Sequence, residues 1–178
     1  MSTYKAAVVQ ASSVPFNSGA SAEKATSLVL EAAAAGARLA VFPEVFLGGY
    51  PKGSSFGAPV GLRKPEGRDA FRRYYDGAID LDGPEVAVLV EAVRTTGLFV
   101  VIGCLERDGG TLYCTALFLD GENGLVGKHR KLMPTGSERL IWGFGDGSTM
   151  PVFETSLGRI GAVICWENYM PALRLAMY

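Results

Sequence analysis

Arg159-Ile160-Gly161-Ala162-Val163-Ile164-Cys165-Trp166-Glu167-Asn168 is the stretch on which the reading of this chain turns. Its apolar run, residues 160–164, reads as a buried strand that breaks into a turn just where it delivers the thiol of Cys165. Open α/β folds place ligands beyond the ends of their strands, so a thiol there is better placed to react than one in mid-strand. Two other segments share this form. Leu39-Ala40-Val41-Phe42-Pro43 runs into Glu44, and Leu125-Val126-Gly127-Lys128-His129-Arg130 runs into Lys131. A nucleophile, a carboxylate and an ammonium, each at the end of its own strand, point to an α/β enzyme.

Outward from these strand ends, Ala6-Ala7-Val8-Val9-Gln10-Ala11 reads as a buried first strand. Ser21 is suited to cap a helix over residues 23–35, with Gly36 placed to end it. Residues 48–67 are rich in Gly, Pro and Ser and long for a plain connector, which marks them as a wall of the site or a surface insertion. Asp82-Gly83-Pro84-Glu85 is a helix start, with Asp82 as cap and Glu85 in the capping-box position, and Gly97 ends that helix. Residues 98–103 form an apolar strand. Turns at Asp108-Gly109-Gly110 and Asp120-Gly121-Glu122 then connect hairpins through residues 112–119 and 125–132. A further hairpin turns at Ser156-Leu157-Gly158. The order β-α-β-α-β followed by a meander implies a mixed sheet with helices on one face at least.

The 178 residues fit one domain, residues 1–178, that buries about two-thirds of its unfolded surface. Hydrophobic content of 48% with 20% charged residues is globular and excludes a disordered chain. Net charge is −1, from seventeen basic and eighteen acidic residues, and no basic stripe is present to hold nucleic acid. No apolar run approaches the roughly 20 residues that span a bilayer, so no membrane partner is expected. The N-terminus leads into a strand-like run and does not read as a signal peptide. Cys104, Cys114 and Cys165 are odd in number and lack C-x-x-C spacing, which argues against disulfides or a zinc site. A reducing, cytoplasmic setting is expected. The final run, Pro171-Ala172-Leu173-Arg174-Leu175-Ala176-Met177-Tyr178, opens a helix without a stop signal, so the chain is expected to be part of a longer protein.

The chemistry follows from the residue types. A thiol is only a few per cent thiolate at neutral pH. The useful arrangement is a Glu44 carboxylate that takes the Cys165 proton as sulfur attacks. Lys131, kept cationic between carboxylates, then stabilises negative charge building on the substrate. Backbone N–H groups of a helix after Asn168 can also reach the thiol. Glu138, seven positions after Lys131, can share a proton with Glu44 or orient water; equally, it can pair with Arg139 or Arg130 at the surface. His129 is the one histidine, and strand alternation puts it on the same face as Lys131. Any Cys–His nucleophile pair must use it, although a strand histidine is more often a packed residue. Cys104 and Cys114 read as small core side chains.

Phe42-Pro43-Glu44-Val45-Phe46, Lys128-His129-Arg130-Lys131-Leu132-Met133-Pro134-Thr135 and Cys165-Trp166-Glu167-Asn168 together resemble the nitrilase family of carbon–nitrogen hydrolases. The order and separation match that family's Glu–Lys–Cys triad, from Lys5 to the last residue. Cys-Trp-Glu and the run from Glu138 to Ser148 resemble the nitrilase branch in particular. The resemblance implies an α-β-β-α sandwich with a mixed central sheet, incomplete at the C-terminus, since family members run to roughly twice a chain of one half. It implies Cys165 as nucleophile, Glu44 as general base, Lys131 as cationic stabiliser and Glu138 as the second glutamate. Tyr50, His129, Trp166 and Glu167 are expected to line the substrate. The implied reaction hydrolyses an organic nitrile, aryl or arylalkyl, to its acid and ammonia through a thioimidate and a thioester, without metal or cofactor. Family members also self-associate, so a homo-oligomer is expected.

Two other readings keep their place. An amide or N-carbamoyl hydrolase can use the same triad, and a non-catalytic fragment or assembly subunit can keep the motif residues while binding partners through an unfinished apolar face.

Overall fold

The computed structural model describes residues 3–59 and 61–178; Met1 and Ser2, and Val60 within the Gly/Pro/Ser-rich stretch, lie outside the described residues. Seven strands and four α-helices are described: β1 (Lys5–Val8), α1 (Ser18–Ala34), β2 (Ala37–Val41), α2 (Pro65–Asp76), α3 (Pro84–Thr96), β3 (Phe99–Asp108), β4 (Thr111–Asp120), β5 (Gly124–Arg130), β6 (Phe153–Thr155), β7 (Gly158–Ile160) and α4 (Pro171–Met177). The main sheet has the order β1-β2-β3-β4-β5. Its first three strands are parallel, and β3, β4 and β5 form an antiparallel meander. The mixed sheet read from the sequence is therefore present.

Strand alternation divides this sheet into two environments. One face carries Val100, Ile102, Cys104, Leu117 and Leu119, packed on Ala22, Ala25 and Val29 of α1 and on Val86, Leu89 and Val93 of α3. The other carries Val101, Leu105, Cys114, Ala116 and Phe118, which join Tyr74 of α2, Trp142 and Ile164. Phe153 of β6 packs on Phe118 with ring centroids 5.0 Å apart. Helices thus close one face, and the second face is left for the hairpin β6–β7, long loops and the strand ends.

Several local expectations are corrected. Asn17, not Ser21, caps α1 by accepting from Ala20 N at 2.9 Å. Ser21 faces the core instead, and its hydroxyl bonds both Val14 N and Val14 O. Both residue types can cap; the inward spacing of Ser18, Ala22, Ala25 and Val29 decides between them. At α3, Gly83 holds the cap position and Asp82 does not cap. Glu85 accepts from the Ser18 hydroxyl at 2.9 Å, so its carboxylate links two helices and does not close a capping box. Gly97 ends the helix at φ +70°, a left-handed conformation that glycine adopts without cost. The first strand is not buried: it lies at the sheet edge, and Val8 is 83% exposed. Helix α2, which the sequence reading did not expect, begins inside the Gly/Pro/Ser-rich stretch, at Pro65 and Glu66.

Glu106 is the buried charge that the apolar reading of β3 did not anticipate. It is 1% exposed and accepts from Thr115 Oγ1 (2.7 Å), Lys128 Nζ (2.5 Å) and Arg130 Nε (2.9 Å). Burial opposes its charge, but the bonds from Arg130, Lys128 and Thr115 outweigh it and hold the carboxyl below the usual range. Removing one member of such a group leaves buried charge uncompensated. Glu106→Gln is expected to cost about 2–4 kcal/mol in denaturant unfolding at pH 7, at the lower side for a buried pair because Lys128 keeps some solvent access. A depressed folded-state value means the stabilisation is fully present above the ordinary value of about 4.5 and is lost as pH falls from there through the lower folded-state value. The unfolding curves of the two proteins should therefore converge in acid.

Candidate active site

Glu44 stands where β2 runs out but the backbone keeps to the sheet. Phe42 N donates to Val101 O at 2.8 Å, Leu47 N to Gly103 O at 3.0 Å and Leu105 N to Leu47 O at 2.8 Å. These bonds lash the segment on both sides of Glu44 to β3. Two features make this route possible. Val45 sits at φ +50°, a strained conformation for a β-branched residue. Gly103 supplies the room opposite, because a Cβ there would lie 2.5 Å from Val45 N. Glycine in mid-strand is the sequence signal for such a close backbone approach.

Lys131 follows β5 directly and is tied to β4 by Lys131 N→Cys114 O at 2.8 Å. Its side chain is 1% exposed, and Nζ donates to Glu44 Oε1 at 2.7 Å and to Glu138 Oε2 at 2.8 Å. Burial opposes the ammonium, yet the bonds to Glu138 and Glu44 outweigh it and raise the lysine above its ordinary value. Trp142 backs the charge, its ring centroid 5.7 Å from Nζ.

Glu138 lies in the 3₁₀ turn Gly136–Leu140. Oε2 accepts from Lys131 and from Thr135 N (2.6 Å), and Oε1 accepts from the Tyr50 hydroxyl at 2.6 Å. Burial pushes this carboxyl up, but Lys131, Tyr50 and the Thr135 amide outweigh it and lower it. The surface alternative for Glu138 is displaced: Arg139 bonds Pro134 O, and Arg130 bonds Glu106 and Asp108. Tyr50, from the irregular stretch, is half exposed and packs edge-on against Trp142 at 5.6 Å.

Cys165 opens the 3₁₀ turn Cys165–Tyr169 and is exposed, at φ +54°. The run before it differs from expectation. β7 ends at Ile160, and residues 161–164 are outside any assigned strand and are not fully buried until Ile164, because no strand pairs with them among the described residues. The helix after Asn168 begins only at Pro171 and makes no described hydrogen bond to the thiol. Nor does the thiol bond Glu44 or Lys131 directly among the described residues. The thiol that touches Glu44 is Cys114, buried beneath it with Sγ 3.4 Å from Oε1. Cys114 does read as a core residue, but this polar contact had no signal in the apolar strand pattern.

Glu167 connects the two strand ends. One oxygen accepts from Leu132 N at 2.7 Å, next to Lys131, and the other from Ile164 N at 2.6 Å, next to Cys165. His129 Nε2 lies 2.8 Å from the same Oε2, and its Nδ1 lies 2.7 Å from Thr149 O. Both side chains are 0–1% exposed, which corrects the expectation that they line a substrate. With both ring nitrogens engaged, His129 is also unsuited to serve as base for Cys165. Trp166 is 60% exposed and packs on Tyr169 with the rings tilted by 45° and their centroids 5.1 Å apart.

The vacancies in this network define what it can do. Lys131 has three N–H bonds and, among the described residues, spends two, leaving one for a ligand. Both Glu138 oxygens are engaged, whereas Glu44 Oε2 has no partner among the described residues and is open to take a proton. One carboxylate is thus held and the other is available.

Residues 5–178 match the family described as carbon–nitrogen hydrolase. The chain is 74% identical over 99% of its length to a nitrilase of Bradyrhizobium diazoefficiens, covering 55% of that protein. It is 58% identical over its full length to an aliphatic nitrilase of Sinorhizobium fredii, covering 58% of it. A crystal structure of a carbon–nitrogen hydrolase superfamily protein from Xanthomonas campestris superposes with a TM-score of 0.73 at 21% identity, covering 97% of this chain and 57% of that one. The chain spans little more than half the length of these curated relatives.

Gly103→Ala tests the Glu44 route. The added methyl must displace backbone, a cost of about 1–3 kcal/mol or more for an overpacked site. Thermal unfolding should fall by several degrees, and the Glu44–Lys131 ion pair should lengthen in a crystal structure of the variant.

Proposed function

This chain belongs to the carbon–nitrogen hydrolase family, and on that premise we propose that it carries the catalytic centre of a nitrilase. The observation that carries this reading is the Lys131 ammonium fixed between Glu44 and Glu138 with one N–H unspent. Cys165 is the nucleophile, Glu44 the general base, Lys131 the stabiliser of charge on the substrate nitrogen, and Glu138 the group that holds Lys131.

The Cys165 sulfur adds to the nitrile carbon while its proton passes through Glu44 to the nitrile nitrogen, giving a thioimidate. Water activated by Glu44 adds to that carbon, and the tetrahedral species expels ammonia to leave a thioester. A second water cleaves the thioester, releasing the carboxylic acid and restoring the thiol. Lys131 acts where nitrogen and then oxygen become negative, the condition under which a preorganised cation lowers a barrier most. An aryl or arylalkyl side chain is favoured by the half-exposed ring of Tyr50 beside the cluster, although one relative is named an aliphatic nitrilase. The protein works as a homo-oligomer in the reducing cytoplasm, a setting consistent with its three free thiols.

The protein that carries this sequence should release ammonia from phenylacetonitrile or from butyronitrile, and the ratio of the two kcat/KM values reads the side-chain preference. Turnover of the matching amides alone would replace the nitrilase reading by an amidase one. Cys165→Ala should abolish release; undiminished release would show that another group is the nucleophile. Lys131→Met, which keeps bulk and removes charge, should lower kcat by about 10²–10³-fold.

A further inference from the structure

We propose that Glu167, hydrogen-bonded to His129, is a positioning residue that sets the distance between Cys165 and Lys131. This rests on the nitrilase reading but is drawn from a separate network.

The two strand ends that must meet are not joined by a β-ladder. β5 is the last strand of its sheet, and residues 161–164 have no strand partner among the described residues. Ladder bonds would ordinarily fix such a spacing. Here a single carboxylate does so, taking Leu132 N–H on one oxygen and Ile164 N–H on the other. Each amide belongs to the residue beside a reacting side chain, so moving the carboxylate moves Lys131 and Cys165 relative to each other.

His129 fixes the carboxylate in turn. Thr149 O can only accept, so Nδ1 carries a hydrogen. Glu167 accepts two backbone hydrogens and its carboxyl is held below the usual range, while His129 is held above its own, so the pair favours a carboxylate facing a protonated Nε2. Burial opposes both charges; in His129 the bonds to Glu167 and Thr149 prevail, and in Glu167 those from His129, Leu132 and Ile164. Charge-assisted bonds in a dry environment are stronger and more directional than neutral ones. His129 is itself rooted in β5 opposite Ala116. The clamp is thus anchored in the main sheet and reaches out to the otherwise unpaired Cys165 segment. Misplacement of about 1 Å in such a pair can cost 10²-fold in rate.

Glu167→Gln keeps the shape but offers one accepting oxygen, so it can hold only one of the two amides. His129→Asn keeps Glu167 but removes its counter-charge. Hydrogen exchange of the protein that carries this sequence is read first. Leu132 and Ile164 amides should be protected like those of β3 and β4, although neither lies in a ladder; rapid exchange at both would overturn the proposal whatever the activity. In folded Glu167→Gln, one of these amides should exchange at least tenfold faster relative to β3, and kcat for the nitrile should fall about 30–100-fold with KM within threefold. A folded variant with kcat within threefold of the parent would overturn the proposal. His129→Asn should show the same kcat-against-KM pattern in milder form. If the parent turns over neither nitrile nor amide, the functional reading fails, while the exchange data still decide whether the clamp exists.

Discussion

A lysine ammonium with 1% of its side chain exposed is the constraint that organises this molecule. Isolated in a protein interior, such a charge is costly enough that the group would give up its proton. Two carboxylates prevent that, and they come from residues 87 and 7 positions away in sequence. Glu44 must therefore be brought along the third strand of the sheet, and Glu138 must be folded back by its own short turn. Tyr50 and Thr135 complete Glu138, and Trp142 closes the apolar side of the charge. Much of the irregular chain on the open face of the sheet exists to satisfy this one cation.

The same logic explains where strain is tolerated. Val45 and Cys165 are two of the four described non-glycine residues with positive φ, and each adjoins or is a residue of the proposed catalytic set. Strain of this sort costs on the order of 1–3 kcal/mol per residue and persists only where surroundings over-determine it. At Val45 the surroundings are the β3 hydrogen bonds and the room made by Gly103. At Cys165 they are the Glu167 carboxylate and the turn it begins. Helix packing on the opposite face supplies the rigidity against which both are held.

What was legible in the sequence is what rests on pattern. Apolar runs and glycine turns gave the strand order and the meander but not helix α2, which lies between β2 and α3, and strand alternation put His129 on the face of Lys131. Three ordered motifs gave the family. What was not legible depended on long-range partners. Ser21 and Asn17 are equally good caps by type, and core packing chose between them. The apolar residues 160–164 look like a buried strand in any sequence, yet burial requires a partner strand that the described residues do not provide. Glu167 and His129 looked like pocket residues because they flank the motifs, whereas their charges are spent on each other and on backbone amides. Glu106 carries no signal in the sequence, since nothing in Cys104-Leu105-Glu106 announces that Lys128 and Arg130 arrive from two strands away.

The central claim is that Lys131 is a permanent cation held between two carboxylates. Nitrogen NMR of the protein labelled at lysine Nζ reads this directly. The Lys131 signal should stay that of an ammonium beyond pH 10.5, where an ordinary lysine titrates, and should move when Glu138 is replaced by Gln. A Lys131 resonance that becomes a neutral amine below pH 10.5 would contradict the account.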